Sequence, residues 1–452
     1  MKMPDKQKFS AGVCTLGCRV NQYESECIIS EFDALGFEMK DFGDICDVYV
    51  INTCAVTAGS DKKSKQMIRR AKNRNKNAVI AVCGCFSQNS PEAFKAELSA
   101  DIVAGTTEKT KIPALALGVL NNIRPENSVL VKNIGGYDTY ENISACRSKK
   151  TRAYLKIQDG CDGKCSYCII PKLRGRAKSR EYAHIFAEAK RFCETSCREI
   201  VLTGIEISSY GKDFENRDFD LMALLEKLHA EPALGGIASI RLSSVDPSLI
   251  KMDFVDRLAS LGKIANHFHL SLQSGSNGIL NSMRRKYSAE TVMENIGYAK
   301  QKIKGLNLTA DIIVGFPGET EKDFEKTVEM ARLLNIYHAH IFKYSKRPGT
   351  EAAGFAGQVG EEIKNARSGE ISKVCGNIKE KIHSENLGKE FEVIAEEAGG
   401  GYYTAKTKNF FDVKIKIDEN QRPPATEKIK IFDYDRDFLY GIRVDNRHMG
   451  MV

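Results

Sequence analysis

Between residues 153 and 342 the sequence repeats one pattern six times: a short apolar run, a turn, and then usually a stretch with helical spacing. The apolar runs are 153–157, 199–202, 239–242, 267–272, 308–314 and 338–342. Helical segments lie between them, among them 181–192, 219–228, 289–302 and 320–334. Short strands separated by helices pair in parallel, because a parallel neighbour requires a crossover of helix length. Six β/α units in roughly 200 residues are expected to form a barrel or partial barrel rather than a small open sheet.

The flanks read differently. Residues 12–15, 48–52, 78–82 and 101–103 are strand-like, and helical patterns follow at 21–35, 59–76 and 91–98. Asn21 is the expected cap of the first helix and Gly36 its stop. A polar, turn-rich stretch at 121–146 reads as a linker, and a polar helix spans about 360–386. Beyond it, strands at 391–395, 402–407, 411–417, 428–432 and 439–443 follow without long helices, the size of a small closed β-barrel. The expected fold class is therefore α/β. It comprises an N-terminal parallel α/β domain (8–120), the linker (121–146), a central partial (β/α)6 barrel (147–386) and a C-terminal all-β barrel (387–448).

Hydrophobic content of 42% with 28% charged residues excludes global disorder. The longest apolar run, about 78–86, is far short of the roughly 20 residues of a membrane helix. The start, MKMPDKQKFS, has no apolar core of a secretory signal, so a cytoplasmic protein with no membrane partner is expected. In that reducing compartment the 14 cysteines are not a disulfide framework; they are metal ligands, catalytic thiols or packing residues.

The most specific motif is Gly160-Cys161-Asp162-Gly163-Lys164-Cys165-Ser166-Tyr167-Cys168, directly after the first strand of the central series. Three thiolates on one tight loop can hold three irons of a cubane and leave the fourth iron open. A structural zinc site wants four ligands, and no matching second pair stands nearby. Strand ends are where barrel active sites sit. Three further cysteines, Cys18, Cys54 and Cys85, each lie between an expected strand and an expected helix. In a parallel sheet those loops share one edge. On pattern alone they either converge as ligands or are unrelated strand-end residues. Alternation puts Cys83 on the face of Cys85, which leaves an exchange between these two open, and Cys14 lies close to Cys18. Cys27, Cys46, Cys146, Cys193, Cys197 and Cys375 have no motif context.

The cysteine loop resembles the signature of radical S-adenosylmethionine enzymes. Over nearly the whole chain the sequence is similar to their methylthiotransferase branch. The shared stretches include Ile51-Asn-Thr-Cys-Ala-Val, Leu202-Thr-Gly-Ile-Glu-Ile-Ser-Ser-Tyr-Gly, His269-Leu-Ser-Leu-Gln-Ser-Gly-Ser, Asp311-Ile-Ile-Val-Gly-Phe-Pro-Gly-Glu and Tyr344-Ser-Lys-Arg-Pro-Gly-Thr. The resemblance implies two [4Fe–4S] clusters, one on Cys161, Cys165 and Cys168 and one on Cys18, Cys54 and Cys85, with S-adenosylmethionine as cofactor. It implies a C-terminal TRAM barrel that binds tRNA. It also implies that Gly204 and Glu206, a variant of a Gly-Gly-Glu turn, meet the methionyl group, with Gln273 near the ribose and Tyr167 near the adenine. Where the family often carries glutamate after Ser-Ser-Ile, this chain has Asp246 after Ser243-Ser-Val.

The signature Gly17-Cys-Arg-Val-Asn-Gln-Tyr-Glu-Ser is similar to the branch that adds a methylthio group to C2 of N6-threonylcarbamoyladenosine at tRNA position 37. The expected partners are the anticodon stem-loop, a low-potential electron donor and an unidentified sulfur source, with the enzyme as a monomer. The alternatives are isopentenyladenosine in tRNA, an aspartate of a ribosomal protein, and a non-catalytic iron–sulfur RNA-binding regulator. Charge is consistent with RNA. Residues 147–180 carry eleven basic and two acidic side chains, and residues 61–76 eight and one. Such clusters are either a phosphate footprint or solvated faces. On the first reading Arg174, Arg176 and Arg180 contact RNA. In the C-terminal barrel, Tyr402, Tyr403, Phe410 and Phe411 are either base-stacking or core.

Overall fold

The computed structural model describes residues 8–96, 98–123, 128–136, 139–145, 150–417 and 422–444. Cys146 lies outside them. Among the described residues no helix is long and apolar enough to cross a membrane. The chain divides into two compact units. One holds residues 1–147, 156–188 and 345–353, the other 148–155, 189–344 and 354–452.

The first unit is built on a six-stranded sheet in the order Glu38–Lys40, Ser10–Thr15, Val48–Thr53, Val79–Gly84, Ile102–Ala104 and Val129–Leu130. Every pairing in it is parallel. Its central strands are buried along their whole length because both faces are covered. Tyr49, Ile51, Ile80 and Val82 face one core, and Val48, Val50, Val79 and Ala81 the other. The edge strand Val129–Leu130 falls inside the stretch that reads as a linker, and the apolar helix Ile112–Leu120 precedes it. Two residues are too few to show a strand period, so the neighbouring strand selects that pairing rather than local propensity.

The first helix, Arg19–Ala34, is capped at Cys18 and not at Asn21. The Asn21 amide is used elsewhere. It lies buried one turn inside and donates to the carbonyls of Leu16 at 2.7 Å and Thr53 at 3.0 Å. These two buried bonds to backbone carbonyls occupy the amide in place of a cap position. The helix does stop where expected, at Gly36, whose φ is +83°.

In the second unit, residues 152–155 of strand Arg152–Lys156 form one sheet with Glu199–Thr203 and Ser239–Leu242, and Ser244–Val245, His267–Gln273, Asn307–Val314 and Ile336–Lys343 form the next. The pairings Glu199–Thr203 with Ser239–Leu242, and those along the second sheet, are parallel and follow chain order, as a partial barrel requires. The helix Glu361–Glu385 leads to the five strands Glu390–Gly399, Tyr402–Thr407, Asp412–Lys416, Thr426–Tyr434 and Leu439–Arg443, which close into a barrel. Its core takes Tyr403 and Phe411, so these two rings are packing residues and not base platforms. Phe410 stacks on His267 with ring centres 4.2 Å apart. Of the four aromatics only Tyr402 is exposed.

One buried ion pair in this unit makes a pH prediction. Glu199 is fully buried between Arg241 at 2.7 Å and Arg152 at 2.6 Å. Burial raises its carboxyl, but the two guanidinium groups outweigh that and hold it at about 2. A folded value below the unfolded one, about 4.3, stabilises the fold fully above that pH. The contribution is lost as pH falls toward 2. Urea midpoints taken between pH 6 and 2.5 are expected to fall less steeply for Glu199→Gln than for the parent chain.

Candidate functional site

The parallel pairings set the N-terminal cysteines. Asn52 pairs with Cys83 and Thr53 with Gly84, so the chain leaves both strands at the same level. Cys54 follows the first strand end directly. Gly84, at φ +106°, turns the second so that Cys85 begins the short helix Cys85–Asn89. A Cβ on Gly84 would stand 2.3 Å from the Thr53 carbonyl oxygen, so only glycine makes this turn. The turn interrupts strand alternation. Cys83 therefore packs with Val79 and Ala81 in one core, and Cys85 packs with Cys54 in the opposite core. The same-face expectation for this pair is corrected: alternation ends at the last strand residue.

Cys18 joins these two thiols from the cap of the first helix. Gly17, at φ +95°, lies so close to Cys54 that a Cβ there would stand 2.8 Å from its sulfur. Burial, then Cys85 and Cys18, push the Cys54 thiol up to about 11, so the three groups lie within electrostatic reach of one another. Burial pushes Cys83 further, to about 12. Three soft thiols gathered on one sheet edge fit a cubane with one open iron. Cys85→Ser is expected to remove about four of about eight irons per chain on reconstitution, and Cys83→Ser none. Iron analysis of the two variants checks this.

The second trio sits on the loop 160–168 of the same unit. Gly160 takes φ +69°. The Cys161 amide then donates to the Gly175 carbonyl at 3.0 Å, and the Cys168 amide to Cys165 at 3.1 Å. Gly163 lies inside the loop. Its amide donates to the Cys161 sulfur at 3.2 Å, and a Cβ on it would stand 3.0 Å from that sulfur and 4.0 Å from that of Cys165. The loop is thus a cradle that a single methyl would fill, and the donor set fits the cluster proposed for it. Tyr167 is half-buried on this loop.

Arg174 and Arg180 are not surface cations. Arg174 donates to Glu24 at 2.8 and 3.0 Å, to Asp159 at 3.0 Å and to Asn21 at 2.8 Å. Lys109 and Lys156 meet the same Glu24 carboxylate. Arg180 is paired with Glu188 at 2.5 Å, and Glu188 also accepts from the Tyr23 hydroxyl. Both arginines are under 3% exposed, so the expectation that they contact RNA is corrected. Arg152, Lys156, Arg174 and Arg180, four of the eleven basic residues of 147–180, neutralise carboxylates inside the fold. Arg176 is exposed, 3.5 Å from Asp162. Of the acidic partners, only Glu24 is remote in sequence, in a helix more than a hundred residues upstream; Asp159 and Glu188 lie close to their arginines in the chain.

The second unit holds the remaining candidates. Glu206 follows the strand Glu199–Thr203 and Gly204, and accepts from the Ser208 amide at 3.1 Å. Burial and then Asp246 push its carboxyl up. Asp246 is itself paired with Arg285 at 2.5 Å and caps a short turn at Ser248. Gln273 ends the strand His267–Gln273 at φ +62°, a left-handed position unusual for a residue with a side chain. Glu319 of the Gly315–Glu319 turn accepts from the Gly315 amide and pairs with Arg367 at 2.7 Å. A polar cluster that sequence reading missed joins three adjacent strands. Asp311 meets His269 at 3.1 Å and His340 at 3.3 Å, all on one face. Alternation along 267–273, 307–314 and 336–343 is the signal that would have aligned them.

Comparison with known proteins agrees with this geometry. Residues 155–331 match the radical SAM superfamily, and residues 10–105 match the uncharacterized protein family UPF0004. The chain is 40% identical to the threonylcarbamoyladenosine tRNA methylthiotransferase MtaB of Bacillus subtilis, over 85% of this chain and 84% of that one. It is 32% identical to the tRNA-2-methylthio-N(6)-dimethylallyladenosine synthase of Finegoldia magna, over 96% and 94%. Among solved structures, the radical S-adenosylmethionine methyltransferase TsrM from Kitasatospora setae shares the fold. Its TM-score is 0.55 with 14% identity, over 76% of this chain and 77% of that one.

Proposed function

Because the chain belongs to the radical S-adenosylmethionine tRNA methylthiotransferases, we propose that it converts N6-threonylcarbamoyladenosine at tRNA position 37 to its 2-methylthio derivative. The observation that carries the substrate is the 40% identity to an enzyme named for that nucleoside, against 32% to one named for dimethylallyladenosine. The cofactors are two [4Fe–4S] clusters and S-adenosylmethionine, which when bound would supply the sulfur site, the methyl group and the radical chemistry needed at an unactivated C–H bond.

The chain's own residues have narrower tasks. Cys161, Cys165 and Cys168 hold one cluster, and Cys18, Cys54 and Cys85 the other. Glu206 accepts from the methionyl ammonium, beside Gly204, whose lack of a side chain lets backbone approach the ligand. Gln273 bonds ribose hydroxyls, and Tyr167 packs against the adenine. The substrate base leaves its stack in the anticodon stem-loop to reach the chemistry. A low-potential electron donor and a separate sulfur source complete the reaction, and the enzyme works as a cytoplasmic monomer.

Phosphate contacts are assigned to the helix Ala58–Arg74. It buries only Ser64, Ile68 and Ala71, while Lys62, Lys63, Arg69 and Arg70 are exposed. A cavity of about 900 Å³ beside it is lined by Lys62, Lys65, Arg69, Phe86, Asn89 and Arg347. Arg176 adds a further exposed cation. Lys62→Gln with Arg69→Gln is expected to weaken tRNA binding and to lower the slope of log affinity against log salt by about 2. Filter binding across a salt series from low to above-physiological ionic strength checks this.

The decisive experiment is mass spectrometry of tRNA nucleosides from a strain with no second enzyme of the same activity, compared with and without the gene for this protein. Loss of 2-methylthio-N6-threonylcarbamoyladenosine with accumulation of its precursor is expected. Persistence of the methylthio nucleoside overturns the proposal. Loss of the dimethylallyl derivative instead transfers the enzyme to the neighbouring substrate.

A further inference from the structure

Arg174 has one donor that its carboxylate and amide partners do not take. Its Nε points at the Cys85 sulfur, 3.4 Å away, in a fully buried setting. The rest of the guanidinium is fixed. Nη1 is held by Glu24 at 2.8 Å and Asp159 at 3.0 Å, and Nη2 by Asn21 at 2.8 Å and Glu24 at 3.0 Å. Four contacts to three residues leave the fork no freedom to turn away from the sulfur. Charge points the same way. Arg174, Lys109 and Lys156 are three cations in direct contact with two carboxylates, Glu24 and Asp159. This buried group is one negative charge short, and the atom at its open side is a thiol. Asp159 also accepts from the Gly160 amide at 2.7 Å, beside Cys161. One ion cluster therefore anchors both cysteine sites within this unit.

We propose that Arg174 is a positioning residue for the N-terminal iron–sulfur cluster: it donates a charge-assisted hydrogen bond to the Cys85 thiolate and so raises that cluster's reduction potential. The inference rests on the assignment of Cys85 as a ligand of that cluster. Hydrogen bonds to ligand sulfur and nearby positive charge favour the reduced, more negative state, which gains one electron from the reductant with no proton moved. Lysine does not substitute, because a point charge on a flexible stem cannot meet Glu24, Asp159, Asn21 and a sulfur together. Burial of the guanidinium explains why a residue in a basic stretch serves the metal site instead of RNA.

The test uses the full chain with Cys161, Cys165 and Cys168 changed to alanine, reconstituted so that only the N-terminal cluster remains, about four irons. Dithionite titration followed by electron paramagnetic resonance gives its midpoint. With Arg174→Lys and Arg174→Gln the midpoint is expected to fall by about 59 mV, a tenfold change in a one-electron equilibrium. An unmoved midpoint in a variant that retains its iron overturns the inference alone. Absence of iron with Arg174 intact overturns the assignment of Cys85 and the inference with it. Should the Arg174 variants fail to fold, the unsubstituted residue is read directly. Protein labelled with 15N-arginine is expected to show nitrogen coupling to the reduced cluster in pulsed resonance, and absence of that coupling overturns the proposal.

Discussion

Glu24→Gln is expected to destabilise the first unit by about 3–5 kcal/mol, the cost of breaking a buried ion cluster by removing one member. Glu24 is 1% exposed and is the common partner of Arg174, Lys156 and Lys109. Burial alone would raise its carboxyl, but these three cations hold it well below the usual range. Glutamine keeps the shape and removes the charge. Three buried cations then face Asp159 alone. The urea midpoint at pH 7 should fall accordingly, and iron incorporation should fall with it, because Arg174 is no longer held against Cys85. Since the carboxyl is depressed in the fold, its contribution is complete above about pH 4.3 and lost as pH falls further. The gap between variant and parent should therefore narrow in acid. A variant as stable as the parent at pH 7 would show that the cations relax into solvent, contrary to their burial.

Gly160→Ala is the second large effect. The residue needs φ +69°, and a Cβ would stand 1.9 Å from the Arg176 carbonyl oxygen and 2.8 Å from that of Gly175. These obstacles are backbone, so no side-chain rotation relieves them. The hydrogen bond from the Cys161 amide to Gly175 must open, and Cys161 shifts by about 1 Å, a misplacement that costs about a hundredfold in rate. Formation of 5′-deoxyadenosine from S-adenosylmethionine should fall at least that far, and the barrel-loop iron should be lost or labile. Gly262→Ala is the matched control, with nothing within 4 Å of an added methyl and no left-handed backbone. Equal activity of the two variants would remove the steric argument.

The residue-level geometry also sorts the cysteines. Cys27, Cys46, Cys197 and Cys375 are buried packing residues, while Cys193 is half-buried near a helix end. Separation of Cys83 from Cys85 depends on a single glycine turn. Periodicity assumes that the strand continues, so it has no means of detecting that turn in advance.

Local rules were sufficient for much of the architecture. The strands Ser239–Leu242, Tyr402–Thr407 and Leu439–Arg443 and the helix Ala289–Lys302 have the bounds that their patterns predict. The C-x3-C-x2-C loop is equally local, since its three thiols are brought together by eight residues of chain. The order of elements, the fold class and the radical chemistry of one loop are therefore written in short stretches of residues. Where charge goes is settled only by folding. Arg174 and Arg180 belong to a basic stretch in sequence, yet their partners Glu24 and Glu188 come from helices that folding brings against them. A buried charge must find its counter-charge in space, and a linear count of lysines and arginines carries no information about that choice.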